Sequence, residues 1–326
     1  MCRERAVTDD AVEISVVVPL FNEQENIGEL HRRVTSALLA LGSQYEVVFV
    51  DDGCRDATPL HLDELAQHDP HLTVVHLSRN FGHQAAVSAG LDCARGRSVM
   101  IMDGDLQDPP EMIAHFVEKW REGYEVVYGV RRHRKEGVAK RLGYFAFYRL
   151  LNAISDLDIP LDSGDFCLMD HRVVEAMRDL PERKRFIRGL RTFVGFRQTG
   201  LAYERAAREA GRPKYTFRAL IGLAVDGLIS FSSYPLRLVT YLGLAAAGVA
   251  FLLAIWVFVD AFTNRTAPHG WTSLIVVVLF VGAIQLICLG IIGEYVRLIF
   301  LESKSRPSYV LRAYQPAAIF DHQGRR

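Results

Sequence analysis

The stretch SVMIMDGDLQDPPE, Ser98 to Glu111, starts apolar and turns acidic within five residues. Ser98 to Met102 reads as a short buried strand, and Asp103 and Asp105 stand one residue apart where it ends. Paired carboxylates at a strand end suit a divalent cation that must also hold a diphosphate. Magnesium or manganese accepts hard oxygen ligands and takes the remainder from water and phosphate. Gln107 adds an amide oxygen. The same residues also read as a helix entry, with Asp108 as N-cap, Pro109 at the first helical position and Glu111 at the third. That entry accounts for Asp108 onward and leaves Asp103 and Asp105 without a purpose.

Working outward, Ile14–Val18, Tyr45–Val50, Leu72–Leu77 and Glu125–Gly129 are further short β-rich runs. Helical patterns lie between several of them. The clearest joins Ile27, Leu30, Val34, Leu38 and Leu41, with Asn26 and Glu29 spaced like a capping box. Strands alternating with helices predict a doubly wound, mostly parallel α/β sheet, which binds ligands at the carboxyl ends of its strands. At those ends stand Pro19 to Glu23, then Asp51, Asp52 and Gly53, then Ser78 to Gly82, then Asp103 and Asp105, then Arg131 and Arg132. Polar and charged residues therefore gather along one rim.

Composition removes other classes. Lys plus Arg and Asp plus Glu both number 38, so no global field draws nucleic acid and any phosphate binding must be local. The five cysteines, Cys2, Cys54, Cys93, Cys167 and Cys288, show no paired spacing, which argues against a zinc ribbon or a disulfide framework. Of the scattered histidines the closest pair, His68 and His71, falls in a loop-like segment. Neither a Gly-x-x-x-x-Gly-Lys loop nor a Gly-x-Gly-x-x-Gly fingerprint occurs, which weighs against kinases, ATPases and dehydrogenases.

VVVPLFNEQENI, VDDGCRDAT, LSRNFGHQAAVSAGL, MDGDLQDPPE, GVRRHR and SGDFCLMDHRVV together resemble the family 2 glycosyltransferases of the GT-A fold. More narrowly they resemble polyprenyl-phosphate glycosyltransferases, through SGDFCLMD and LPERKRFIRGL the bactoprenol glucosyltransferase branch above all. The likeness runs from about Ile14 to Leu311. Cys54 departs from it, standing where the family usually has Ser, and implies a lost hydroxyl contact.

The resemblance implies roles. Pro19, Asn22 and Glu23 form the first loop of a nucleotide-sugar pocket, and Asp52, with Asp51 beside it, meets the base and ribose. Either could instead cap the turn at Gly53. Arg79 pairs with a phosphate or with a nearby carboxylate. Asp103 and Asp105, helped by Gln107, hold Mg²⁺ or Mn²⁺. Asp165 matches the carboxylate assigned as catalytic base, or caps a turn beside Gly164. Arg131, Arg132, Arg134, Lys135, Arg185, Arg188, Arg208, Arg212 and Lys214 are the available cations, of which Arg131, Arg212 and Lys214 are expected to bind the acceptor phosphate. The expected reaction is an inverting transfer from a nucleotide sugar, UDP-glucose first and GDP-mannose second, to undecaprenyl phosphate.

The last third changes character. Residues 238–259 and 272–293 are uncharged apolar runs of about 22 residues each, enough to cross a bilayer. Arg237 precedes them, Arg297, Lys304 and Arg306 follow, and Arg265 alone lies between. The positive-inside rule then places both ends in the cytoplasm of a multi-pass inner-membrane protein. Tyr215 to Tyr234 carries Phe217, Leu220, Ile221, Ala224, Leu228 and Phe231 on one helical face, fitting either a helix packed on the domain or one lying in the headgroup layer. The expected organisation is a tail at 1–13, a GT-A domain at 14–212, a juxtamembrane amphipathic segment at 213–236, two membrane helices within 237–300, and a cytoplasmic tail at 301–326. Two spans are few for the channel of a processive polysaccharide synthase, and no Gln-x-x-Arg-Trp motif follows Gln198. A non-catalytic scaffold would have a broken Asp-x-Asp or no Asp165, and both are intact. Gly243, Gly248 and Gly282 permit close helix packing within or between chains, hence a possible homo-oligomer.

Overall fold

Strands Ile14–Leu20 (β1), Tyr45–Asp51 (β2), Leu72–Leu77 (β3) and Ser98–Ile101 (β4) are buried at every residue. This computed structural model describes residues 12–132, 163–182, 185–204, 234–263 and 270–319. Burial at every position explains why these strands read as continuous apolar runs: both faces of the sheet are covered. One face carries Val16, Val18, Val47, Phe49 and Val74, packed with helices Ile27–Ala40 (α1), Thr58–His68 (α2) and Ile113–Arg121 (α4) through Leu30, Val34, Leu38, Leu62 and Phe116. The opposite face carries Val17, Val48, Val50 and Val75. It packs against helices His83–Cys93 (α3), His171–Asp179 (α5) and Ile187–Phe193 (α6) through Val87, Leu91, Val173, Val174 and Leu190. Each such side chain contributes about 1.5–3 kcal/mol over its exposed state. Core packing, not the polar rim, therefore holds the frame on which the rim is displayed.

β1 pairs in parallel with β2 and with β4, and β2 with β3. Strand Val126–Arg132 (β5) is parallel to Gln198–Glu204 (β7), and Ser163–Asp170 (β6) runs antiparallel between β4 and β5. Leu311–Gln315 (β8) closes the far edge against β3, giving the order β7-β5-β6-β4-β1-β2-β3-β8. The mostly parallel α/β expectation holds, with antiparallel additions at β6 and β8.

Several local expectations are corrected. Asn26 makes no side-chain cap at α1. Its backbone is helical (φ −100°, ψ −20°), its amide donates to Glu23 Oε2 at 2.8 Å, and Glu29 is held by Arg32. An N-cap requires extended backbone, so the spacing was right and the geometry was not. Nor is Asp108 an N-cap. A 3₁₀ turn, Pro110–Met112, precedes α4, and buried Asp108 accepts the Tyr203 hydroxyl at 2.6 Å. A tertiary partner on β7 has taken the carboxylate that a local cap would use. Cys54, Cys167 and Cys288 are free thiols.

The chain separates into two units. The sheet domain takes the chain back from Arg306, so part of the stretch read as a tail is built into it. The Ser78 amide donates to the Val310 carbonyl at 2.8 Å, the Tyr309 hydroxyl to Asp92 at 2.7 Å and the Gln315 amide to Asp63 at 2.9 Å. The second unit contains helices Tyr234–Thr263 (α7) and Trp271–Ser303 (α8), which touch each other. Many of their apolar side chains are exposed, and Phe251, Leu252, Leu286 and Ile299 are each about two-thirds exposed or more. Phe280–Ser303 is long and apolar enough to cross a membrane, and Val239–Leu253 is a shorter apolar stretch. The segment 213–233 lies outside the described residues.

Candidate active site

Strand order reverses between β1 and β4, and in open α/β sheets ligands bind in the crevice at such a switch point. β1 runs out into Phe21 to Glu23, and β4 into Asp103. Gly104 packs on the end of β1: a Cβ there would stand 2.4 Å from Leu20 Cδ2, and the leucine would have to shift to admit it. β6 brings in the third component. Its antiparallel register pairs Ile101 with Cys167. Asp165 lies two residues before Cys167 on β6, and Asp103 two residues beyond Ile101, past the end of β4.

Around this pair the side chains converge. His83, the first residue of α3, has Nε2 3.0 Å from Asp103 Oδ1 and Nδ1 3.9 Å from Asp165 Oδ2. A carboxylate only accepts, so Nε2 carries a proton toward Asp103. The Gln84 side-chain amide faces Asp165 Oδ2 at 3.4 Å, while its oxygen accepts the Ile187 amide at 2.9 Å and so ties α3 to α6. Arg188 on α6 donates to both oxygens of Asp165, at 2.7 and 3.3 Å. Burial pushes the Asp165 carboxyl up, but Arg188 outweighs it, with His83 and Arg191 adding, and the group sits below the ordinary carboxylate range. It is an anion at neutral pH.

The neighbouring loops are tied by backbone amides. Asp52 is buried, with one oxygen accepting from Phe81 N at 2.7 Å and the other from Gly82 N at 3.0 Å. Burial raises its carboxyl above the usual value, and those amides only partly oppose the rise. Gly53 has φ +65°, and a Cβ there would lie 2.3 Å from the Arg79 carbonyl carbon, which locks the β2 and β3 loops together. Asn22, itself at φ 54°, accepts from Arg55 N at 2.9 Å. Cys54 Sγ accepts from Asn22 N at 3.2 Å and donates to the Leu20 carbonyl at 3.5 Å, so the thiol fills both roles of a hydroxyl. Burial lifts its pKa to about 12, which removes it as a nucleophile. Glu23 N donates to Thr58 Oγ1 at 3.0 Å. Arg79 lies over the Phe81 ring at 4.1 Å and donates to the Asn80 carbonyl. Pro19 is in β1, opposite Val50.

Asp51 faces inward instead. Its Oδ1 accepts from Cys54 N at 2.7 Å and its Oδ2 lies 2.8 Å from His76 Nδ1, while His76 Nε2 reaches Asp63 at 3.1 Å. Asp51 raises His76 above its ordinary value; burial opposes this and Asp63 adds to it. The sign follows. The stabilisation is complete below the unfolded histidine pKa of about 6.5 and is lost as pH rises through the higher folded value. Removing a partner from such a buried pair costs about 3–5 kcal/mol. His76→Asn is therefore expected to lower the melting temperature most near pH 6 and least near pH 9. An equal loss across that range would show that the ring is held by packing alone.

Asp103 and Asp105 supply hard, partly shielded oxygens from one strand end, Asp105 buried with Oδ1 accepting Gln107 N at 3.2 Å. This donor set fits magnesium or manganese sharing its remaining positions with a diphosphate. Of the expected acceptor cations, Arg131 is placed in β5 opposite Tyr203, and Arg212 and Lys214 lie outside the described residues. Sequence reading overlooked His83 and Gln84 and did not single out Arg188. The usable signal was position: His83 begins the helix that leaves the β3 end of the rim. Screening histidines by spacing led to His68 and His71, whose rings bond the Glu64 and Tyr45 carbonyls.

Carboxylates gather at the switch point of a mostly parallel sheet, and the chain that carries them belongs to glycosyl transferase family 2, whose model matches residues 15–178. Residues 234–298 match the family described as the GtrB C-terminal hairpin. The chain is 44% identical over 303 residues to the uncharacterized glycosyltransferase YkcC of Bacillus subtilis, covering 92% of this chain and 94% of the other. It is 41% identical over 302 residues to a bactoprenol glucosyl transferase of Shigella phage SfV (92% and 98% covered). With a prophage bactoprenol glucosyl transferase homolog of Escherichia coli K12 it shares 40% over 302 residues (92% and 99%). The enzyme is a glycosyltransferase.

Proposed function

We propose that the enzyme transfers glucose from UDP-glucose to undecaprenyl phosphate, with inversion, at the cytoplasmic face of the bacterial inner membrane. The observation that carries this reading is the gathering of Asp103 and Asp165 about His83, 3.0 and 3.9 Å from its two ring nitrogens, at the switch point of the sheet. It supports an anionic group working beside the carboxylates that would hold the cation, with His83 between them. The relatives named for bactoprenol support the acceptor class, and the exposed apolar surface of α7 and α8 supports a membrane hairpin.

Asn22, Glu23 and Asp52 hold the nucleoside end, with Asp51 bracing the loop and Arg79 at its mouth. Asp103, Asp105 and Gln107 hold the cation. When bound, the cation offsets charge growing on the departing diphosphate. A phosphate monoester has its second pKa near about 6 and is largely a dianion at neutral pH. The acceptor needs little deprotonation and much alignment. Asp165 therefore orients rather than abstracts, and Arg131, Arg212 and Lys214 neutralise the phosphate. One in-line displacement on an α-linked donor gives a β-linked lipid phosphate sugar.

Purified protein incubated with undecaprenyl phosphate and a panel of radiolabelled nucleotide sugars is expected to yield lipid-extractable label from UDP-glucose, abolished by chelator. Label from GDP-mannose alone would replace the donor and keep the reaction. No lipid label from any donor, in protein that binds nucleotide, would defeat the reading.

A further inference from the structure

Two guanidinium groups attend one carboxylate beside the crevice. Arg188 pairs with both oxygens of Asp165 and keeps 30% of its side chain exposed. One turn on, Arg191 is fully buried, and among the described residues none of its three guanidinium nitrogens has a hydrogen-bond partner. It lies over the Tyr128 ring at 5.1 Å and beside Cys167, whose thiol pKa is raised by burial and opposed by Arg191. A buried, unmatched guanidinium is costly unless an anion is near. The anion whose charge it feels is Asp165. The set Asp165, Arg188 and Arg191 thus carries one positive charge more than it neutralises, and the exposed arginine is the movable one.

Resting on the acceptor reading above, we infer that Arg188 is an exchangeable partner of Asp165. It moves to the incoming phosphate of the acceptor, while Arg191 remains behind as the positioning charge that keeps Asp165 anionic and in place. A guanidinium presents two parallel donors to phosphate as it does to carboxylate, and a dianion competes well for it. Gln84 keeps its contact with Asp165 and, through Ile187 N, holds the start of α6 still during the exchange. No bond is made or broken; one ion pair is traded for another.

The exchange makes an unusual demand: removing the charge of Asp165 should improve phosphate binding. The test is binding of farnesyl phosphate to the full-length protein in detergent micelles, followed by calorimetry, with UDP binding as the control for folding. Arg188→Gln is expected to weaken farnesyl phosphate at least tenfold. Asp165→Asn is expected to tighten it at least threefold, because Arg188 is released. Arg191→Met should weaken it, since Asp165 then holds Arg188 as its sole guanidinium partner, and Arg191→Lys should restore it. Asp165→Asn with unchanged or weaker phosphate binding would overturn the inference, as would Arg188→Gln with wild-type binding or a wild-type protein that binds no phosphate monoester. If the binding pattern appears while no sugar donor is used, the proposed function fails and the exchange stands.

Discussion

Asp105→Asn is expected to reduce sugar transfer by about 10²–10³-fold while leaving the fold intact, the size of effect seen when one group that stabilises developing charge is removed. The buried carboxylate accepts the Gln107 amide, and an asparagine oxygen accepts it equally well. What the amide cannot supply is negative charge. Asp103 would be left as the one carboxylate at the end of β4, and it already faces His83 at 3.0 Å. Initial rates over a manganese titration should show the loss at every concentration, or an optimum moved far upward. The melting temperature without metal should stay near wild type, and the rise given by manganese plus UDP should disappear. Wild-type rates with an unchanged manganese optimum would remove Asp105 from cation binding.

The frame of this domain was readable because it is made by the residues that carry periodic signals. All five strands sought in the sequence exist, since runs such as Val16 to Val18 and Val47 to Val50 are long enough to require cover on both faces. The rim was legible for the same reason, as polar residues that interrupt such runs stand at strand ends. What escaped is what depends on register and tertiary choice. Nothing local to Asp108 announces Tyr203, 95 residues away, as its partner. β8 lies beyond two apolar helices, and five residues of mixed character there give no period to read. His83 and Arg188 meet Asp165 only because an antiparallel β6 is inserted between β4 and β5. Asp51 and Asp52 are adjacent in sequence, yet β2 ends at Asp51, and one meets His76 while the other meets the loop amides of Phe81 and Gly82.

Asp165→Asn is expected to lower kcat by about 10²–10⁴-fold, the range usual for a positioned acid–base or orienting carboxylate, without loss of donor binding. The two roles open to Asp165 separate in the pH profile. Burial alone would push its carboxyl up, but Arg188 overrides it, so the group stays ionised through the neutral range and into mild acid. Its own titration then lies below the working window, and the acid limb of the wild-type profile belongs to the acceptor, whose second pKa is near about 6. If Asp165 orients, Asp165→Asn lowers the whole profile and leaves that limb where it was. If Asp165 takes a proton in the rate-limiting step, rate depends on its ionised fraction, and the variant's profile should change shape as well as height. The acceptor distinguishes further. Arg188, released from the neutral side chain, is free to hold phosphate, so KM for the lipid should fall while kcat falls with it. A variant with slower turnover and tighter acceptor binding has lost transition-state alignment and gained ground-state affinity. That pairing is hard to obtain from a merely misfolded crevice, in which both binding and turnover would decline together.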